Sequence, residues 1–221
     1  MENKFLEFEN TVKSISSMYD NLKSTVDQNT VTIKKLRTEN NSLSNQVKTL
    51  HDKINVMEEA SLKQEQWSRL QNIEVVGVPE SSGESLMHIV SSISKHLQVS
   101  IGANDLDFVH RVQAKRQVKG TQRNIIIRFN NRLKKDELLS AARKFRGFTS
   151  KDIGMQGEPK TIYINEHLSI KNKLLLSSVK AKTKTNNYKF VWTKNCRIYT
   201  RKSENSPYIL ISCEEDMKRI I

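Results

Sequence analysis

Apolar residues recur at alternating spacings of three and four through the first quarter of the chain, and the rhythm never slips. With Phe5 as position a, the a positions are Phe5, Val12, Tyr19, Val26, Ile33, Asn40, Val47 and Ile54. The d positions are then Phe8, Ile15, Leu22, Asn29, Leu36, Leu43, Leu50 and Met57. Fourteen of these sixteen positions are apolar, in a chain that is 36% hydrophobic overall, and no Gly or Pro interrupts residues 1–76. A strict heptad keeps its apolar stripe on one side of a helix and needs a partner helix to cover it. Residues 1–66 are therefore expected to form a coiled-coil oligomerisation rod, held by Val12, Ile15, Leu22, Val26, Ile33, Leu36, Asn40, Leu43, Val47, Leu50, Ile54 and Met57.

The polar exceptions specify orientation. A buried Asn40 or Asn29 finds its hydrogen-bond partner when the same Asn faces it, which penalises staggered and antiparallel pairings. Lys4 lies five residues before Glu9, and Lys53 five before Glu58. In a parallel, in-register coil these g and e positions of neighbouring helices attract. Mostly β-branched a positions and Leu-rich d positions favour two strands. The run Lys53-Ile54-x-x-Met57-Glu58 resembles a signature of trimeric coils, so both dimer and trimer stay open. The seam is expected to loosen over Ser61–Arg69, where Ser61 and Gln64 take the a and d positions.

Beyond the seam the periodicity changes. Asn72–Val78 reads as a strand ended by Pro79 and Ser81-Ser82-Gly83, and residues 84–97 carry helical spacing at Leu86, Ile89, Val90, Ile93 and Leu97. Asp107–Val112 and Asn124–Phe129 read as strands around a basic loop at 115–121. Residues 131–146 read as a basic helix stopped by Gly147, and Thr161–Asn165 as another strand. That order is β-α-β-β-α-β, the split βαβ arrangement of the RNA recognition motif. A third segment follows: a helix at 169–184, strands at 189–193, 197–201 and 208–212, and a short terminal helix. The turn Thr193-Lys194-Asn195-Cys196 suits a hairpin. The predicted fold is a long N-terminal α-helical parallel coiled coil followed by α+β. The domains expected are the rod at 1–66, an RNA-recognition-motif-like domain at 70–166 and a small basic α/β domain at 167–221.

Charge adds a partner. The net charge of +13 is uneven: residues 1–66 carry nine Lys/Arg against ten Asp/Glu, and residues 67–221 carry 28 against 14. From Arg111 to Lys151 there are thirteen Lys/Arg against Asp136 and Glu137, and from His167 to Ser203 there is no acidic residue among ten Lys/Arg. A solvated face normally mixes its charge signs, so an acid-free stretch of this length points to a polyanion. Single-stranded RNA or DNA is the partner expected, with an anionic membrane surface the rival. The candidate contacts are Arg111, Lys115, Arg123, Arg132, Lys135, Arg143, Arg146, Lys182, Lys184, Lys189, Lys194, Arg197, Arg201 and Lys202, with Tyr188 and Tyr199 as stacking partners. Tyr188, Phe190 and Trp192 would share one strand face; Phe190 and Trp192 read as core, and Tyr188 as the better stacker. The first domain lacks the aromatic platform of RNA recognition motifs, since neither Ile73–Val78 nor Arg123–Phe129 carries the aromatic pattern. Glu74 and Arg128 are expected to pair on its open face. Nucleic acid would then follow Lys/Arg along the edges and the cleft between the two small domains.

Other chemistry finds little footing. His51, His88, His96, His110 and His167 are scattered, and no nucleophile elbow, phosphate loop, metalloprotease motif or paired carboxylate appears, so no enzyme activity is expected. Cys196 and Cys213 are too few for a disulfide framework and do not make a zinc motif, so neither a metal nor another cofactor is expected. The start MENKFLEFEN lacks a secretory signal pattern, and no apolar run is long enough for a transmembrane segment. An intracellular, cytoplasmic or nuclear location fits.

Five stretches carry a likeness. Trp67–Glu80 (WSRLQNIEVVGVPE), His110-Arg111-Val112, Arg123–Phe129 (RNIIIRF), Thr161–Leu168 (TIYINEHL) and Tyr188–Lys202 (YKFVWTKNCRIYTRK) resemble two related groups. One is the FP (few-polyhedra) protein family of baculoviruses and insect relatives; the other is the first open-reading-frame protein of LINE-type retrotransposons. The likeness covers about residues 60–212, and Cys196 stands where relatives often have Gly. It implies a coiled coil, an RNA-recognition-motif-like domain and a basic C-terminal domain. The retrotransposon branch implies a trimeric nucleic-acid chaperone. The viral branch implies a part in virion and occlusion-body formation. The expected function is a homo-oligomeric single-stranded nucleic-acid-binding protein, RNA favoured. The alternative is a self-assembling scaffold that binds acidic proteins or membranes.

Overall fold

The computed structural model describes residues 2–112, 122–145 and 147–221. The chain divides into two compact units, Met1–Ala60 and Ser61–Ile221. A long helix, α1 (Glu2–Ser68), supplies the whole of the first unit and the opening of the second.

Within the first unit every described seam residue is exposed: Val12 by 48%, Ile33 by 50% and Leu43 by 59%. The apolar stripe of the first unit is therefore exposed along its described length. Six Thr hydroxyls on this stretch donate to the carbonyl oxygen four residues back, which satisfies them without a neighbour. The side chain of Lys4, one half of the first expected g–e pair, lies outside the described residues.

The second unit contains two antiparallel sheets. The first is built from β1 (Asn72–Val76), β2 (Leu106–Arg111), β3 (Ile125–Phe129) and β4 (Tyr163–Glu166), in the order β2-β3-β1-β4. Helix α2 (Leu86–His96) joins β1 to β2, and α3 (Arg132–Lys144) joins β3 to β4. Ser85 and Asn131 start these helices as N-caps, accepting from the backbone N–H groups of His88 and Leu133. The inward row Ile73, Val75, Ile125, Ile127 and Phe129 packs against Ile89, Val90 and Ile93 of α2 and Leu138 and Leu139 of α3. The second sheet is β5 (Phe190–Lys194), β6 (Arg197–Arg201) and β7 (Ile209–Ile211), in that order. It rests on α4 (Ile170–Thr185), where Leu175 and Val179 meet Ile198, Ile211 and Ile220. The α+β class is thus observed: a long N-terminal helix, then two antiparallel sheets with helices.

Helix α1 itself continues through Ser61–Ser68, the stretch in which the seam loses its apolar positions and the second unit begins. Its end is held by polar anchors that a count of apolar positions ignores. The Gln66 amide oxygen accepts from the Ser169 N–H and from Asn172 Nδ2, both at 2.8 Å, and Arg69 donates to the Leu168 carbonyl oxygen. Two expectations change. The second face of the first sheet is open only at its edges, where Phe108, His110 and Asn165 are exposed, and is covered at its centre. Asn72, Glu74 and Ile126 on that face are 6%, 5% and 1% exposed, with Asn72 beside His167 of the β4–α4 link and Glu74 bonded to Lys173 of α4. Finally, Glu74 does not pair with Arg128. It bonds Lys173 of α4 at 2.7 Å and Asn124 at 2.8 Å, while Arg128 bonds Asp107 at 3.1 Å. The register sets Glu74 opposite Ile126 and Arg128 opposite Asn72, so the two charges are a residue pair apart.

Candidate nucleic-acid interface

The free edges of the two sheets border one groove. Its volume is about 380 Å³, and strand β4 lines one side while Val191–Thr193 of β5 lines the other. The end of α3 (Leu139, Ala142, Arg143) and one face of α4 (Leu176, Lys180) complete it. Arg143 crosses between the sheets: its Nη2 donates to the Thr193 carbonyl oxygen at 3.2 Å. Lys180 shares a helix face with Leu176 and Lys184 by the four-residue spacing. Arg143, Lys180 and Lys184 are exposed and have no carboxylate partner among the described residues.

A second group of cations decorates the β5–β6 hairpin. Lys194 and Arg197 face each other in register across its two-residue turn. That turn, Asn195-Cys196, has φ of 53° and 59°, the geometry of a type I′ hairpin, where Gly is the usual second residue. Cys196 occupies the position because its side chain is 3% exposed and its N–H is held by Glu166 Oε2 at 3.1 Å. Burial, then Glu166, pushes its thiol up to about 12. Arg201 sits 4.8 Å over the Phe190 ring, and Lys202 5.6 Å over the Tyr188 ring.

Several residues expected at the interface do other work. Arg111 is a buried tie: its side chain is 4% exposed and paired with Glu84, and its guanidinium donates to the carbonyl oxygens of Val78, Pro79 and Arg123. Lys135 is fully buried and donates to the Leu70 carbonyl oxygen at 2.8 Å, with Asp136 at 3.3 Å and Glu166 at 3.9 Å. Neither cation is free to meet a phosphate. Arg123 is partly exposed but clasped by Glu80, whose carboxyl it holds below its ordinary value. Tyr188 packs against the second core instead of standing beside Phe190, because Asn187 turns the chain at φ 59° before β5 begins. Phe190 and Trp192 belong to neither core and stand with Tyr199 on the sheet's other face.

The remaining candidates divide simply. Arg132 is exposed at the start of α3 and does not line the groove. Lys182 is half-buried on α4, and Lys189 is exposed before β5. Lys115 and Arg146 lie outside the described residues. Lys180 and Trp192 of the groove were absent from the sequence-based candidates; the acid-free tract and the α4 periodicity together could have flagged Lys180.

Beside the groove lies a neutral histidine cluster. His167 Nε2 is 2.9 Å from Arg69 Nη1, and since Arg can only donate, Nε2 accepts and the ring proton sits on Nδ1. Nδ1 lies 3.2 Å from the Asn72 amide. Turning that amide so that its oxygen faces the ring gives Asn72 Oδ1, otherwise without a partner, its hydrogen bond. Burial, then the Arg69 charge, lowers the His167 pKa to about 4.

Among the described residues no group of His, Cys, Asp and Glu is arranged to hold a metal ion, and no helix is long and apolar enough to cross a membrane. Residues 169–221, comprising α4, the second sheet and the closing turn, match the family model described as Baculovirus FP protein domain 2. No curated protein matches the chain. The match supports the FP family for the C-terminal part and is consistent with a viral origin.

Proposed function

We propose that this protein is a homo-oligomeric binder of single-stranded nucleic acid, RNA favoured, acting in the cytoplasm or nucleus without catalysis of its own. The observation that carries this reading is the groove lined by Arg143 and Lys180, with Lys184 one turn further along α4 in the acid-free segment 167–203. The phosphates of a single strand can follow the exposed cations. The uncovered seam of α1 supports a parallel coiled coil that links two or three such sites. Linked sites on one long strand raise avidity by about 10²–10⁴. The 4-1-3-2 strand order and the β-α-β-β-α-β succession support an RNA-recognition-motif-like reading of residues 70–166. The centre of that sheet's outer face is covered at Asn72, Glu74 and Ile126, which leaves the edge strand β2, with Phe108 and His110, open to a base. A chaperone role and kinship with the retrotransposon proteins are part of the same proposal.

Filter binding of long single-stranded RNA across a salt series tests it. Wild type should bind with a steep slope, and changing Arg143, Lys180 and Lys184 together to Ala should flatten the slope by about 2, at about 0.7 for each lost phosphate contact. Absence of salt-dependent binding by the folded oligomer would refute the proposal. The uncovered seam also fits a self-assembling scaffold for acidic proteins or membranes. That second reading would gain if the oligomer ignored RNA and bound anionic vesicles.

A further inference from the structure

Strand alternation sorts the second sheet into two unlike faces. Val191, Ile198, Ile209 and Ile211 turn toward α4 and the core. The opposite face carries Phe190, Trp192 and Lys194 from β5, Arg197, Tyr199 and Arg201 from β6, and Leu210 from β7. Tyr208 precedes β7 on the same side, 64% exposed. A sheet with one face on a helix usually shows water a polar face. This one shows four aromatic rings, none of which belongs to either buried core among the described residues.

The rings are ordered with respect to one another. Trp192 and Tyr199 pair across the strands with centroids 5.6 Å apart and planes 14° apart. Tyr208 stands edge-on to Tyr199 at 5.6 Å and 73°, and its exposed face ends the row. Cations surround them. Arg201 lies over Phe190, its Nε buried without a partner, and Lys194 and Arg197 hold the hairpin end. The first carboxylate after the acid-free tract is Glu204, beyond β6. The face is also continuous with the groove, because Trp192 lines both.

We infer that the outer face of the β5–β7 sheet is a base-stacking platform for a single-stranded polynucleotide, with Trp192, Tyr199 and Tyr208 taking bases and Lys194, Arg197 and Arg201 taking phosphates. The inference rests on the nucleic-acid reading above and deepens it: the strand is held by its bases as well as its backbone. Aromatic rings set among cations suit a ligand with flat rings on a phosphate chain, and a bare polyanion would have no use for the rings. Base stacking tolerates every sequence, so affinity should change little with base composition.

The test uses the full chain carrying Trp67→Phe, which leaves Trp192 as the single tryptophan of the two in the sequence. Oligouridylate and inorganic polyphosphate are titrated separately. Oligouridylate should quench Trp192 fluorescence, whereas polyphosphate should bind through the cations without quenching. Tyr208→Ala, at a position outside both cores, should weaken oligouridylate binding by about 5- to 150-fold and leave polyphosphate unchanged. Tyr208→Phe should bind oligouridylate like wild type. Salt-dependent oligouridylate binding with no quenching and no effect of Tyr208→Ala would overturn the platform and leave the nucleic-acid reading standing. No binding of oligouridylate at any salt would overturn both.

Discussion

Replacing Arg111 with Gln should open the first sheet without altering polyanion binding by the folded protein. Its guanidinium ties the loop after β1 to the ends of β2 and β3: it bonds both oxygens of Glu84 and three backbone carbonyl oxygens. Removing one partner of a buried pair costs about 3–5 kcal/mol, because the other charge stays buried and unpaired. The carbonyl oxygens of Val78, Pro79 and Arg123 lose their donor as well. Against a domain stability of about 5–15 kcal/mol the loss is large. Native-state hydrogen exchange at the amides of Ile73, Val75 and Ile127 reads it directly. Protection there should fall by roughly 10²–10³-fold, at about 1.4 kcal/mol per decade. The pair Arg111→Met with Glu84→Leu should recover only part of the loss, since the carbonyl oxygens remain without a donor. Unchanged protection together with a salt slope lower by about 0.7 would show that Arg111 contacts phosphate after all.

His167 sets a pH dependence with a definite sign. Its folded pKa of about 4 lies below the ordinary 6.5, so the neutral ring stabilises the fold fully above about pH 6.5 and progressively less as pH falls toward 4. The shift corresponds to at most about 3 kcal/mol, and partial exposure of the ring reduces this to about 1–2 kcal/mol; urea midpoints from pH 7 to pH 4 should fall accordingly, and His167→Asn should remove that slope. At the hairpin, Cys196→Val keeps an apolar side chain but puts a β-branched residue at φ 59°, so it should destabilise by about 1–3 kcal/mol, whereas Cys196→Gly should change stability by no more than about 1 kcal/mol. Thermal melts that rank Gly below Val would sink this account of the turn. Asn40→Val should raise the melting temperature of the helical assembly and broaden its oligomer distribution in analytical ultracentrifugation; a monomeric wild type at micromolar concentration would remove the premise.

Periodicity made the elements legible and left the buried ions hidden. The strand Ile125–Phe129 is legible because it is apolar on both faces, and Ile126 is indeed 1% exposed on the side away from α2 and α3. The first strand reads through to Val78 but ends at Val76. Gly77 turns there with φ 91°, and a Cβ at that position would overlap the Thr161 carbonyl oxygen, a constraint imposed by a segment more than eighty residues away. Lys135 carried a signal that charge outweighed: its spacing to Leu138 and Leu139 puts it on the apolar face of α3. Arg111 carried a similar one, two residues from Val109 on the inward row of β2. A cation in an apolar row is a candidate for a buried tie, which a count of net charge does not register. Tyr188 falls outside the alternation because the chain, turned at Asn187, enters the strand only at Phe190.

The charge count itself needs the same correction. Residues 67–221 carry an excess of fourteen positive charges, but the excess is not evenly available. Six of the carboxylates from Glu65 to Glu166 are matched to specific cations: Glu65 to Arg69, Glu74 to Lys173, Glu80 to Arg123, Glu84 to Arg111, Asp107 to Arg128 and Glu166 to Lys135. These pairs cancel locally and add little to a distant field. From Lys180 to Lys202 the cations form no ion pair with Asp or Glu among the described residues, and this stretch supplies one wall of the groove and most of the aromatic face. Most of the salt dependence of polyanion binding should therefore come from α4 and the second sheet, although the first sheet is nearly as rich in arginine and lysine.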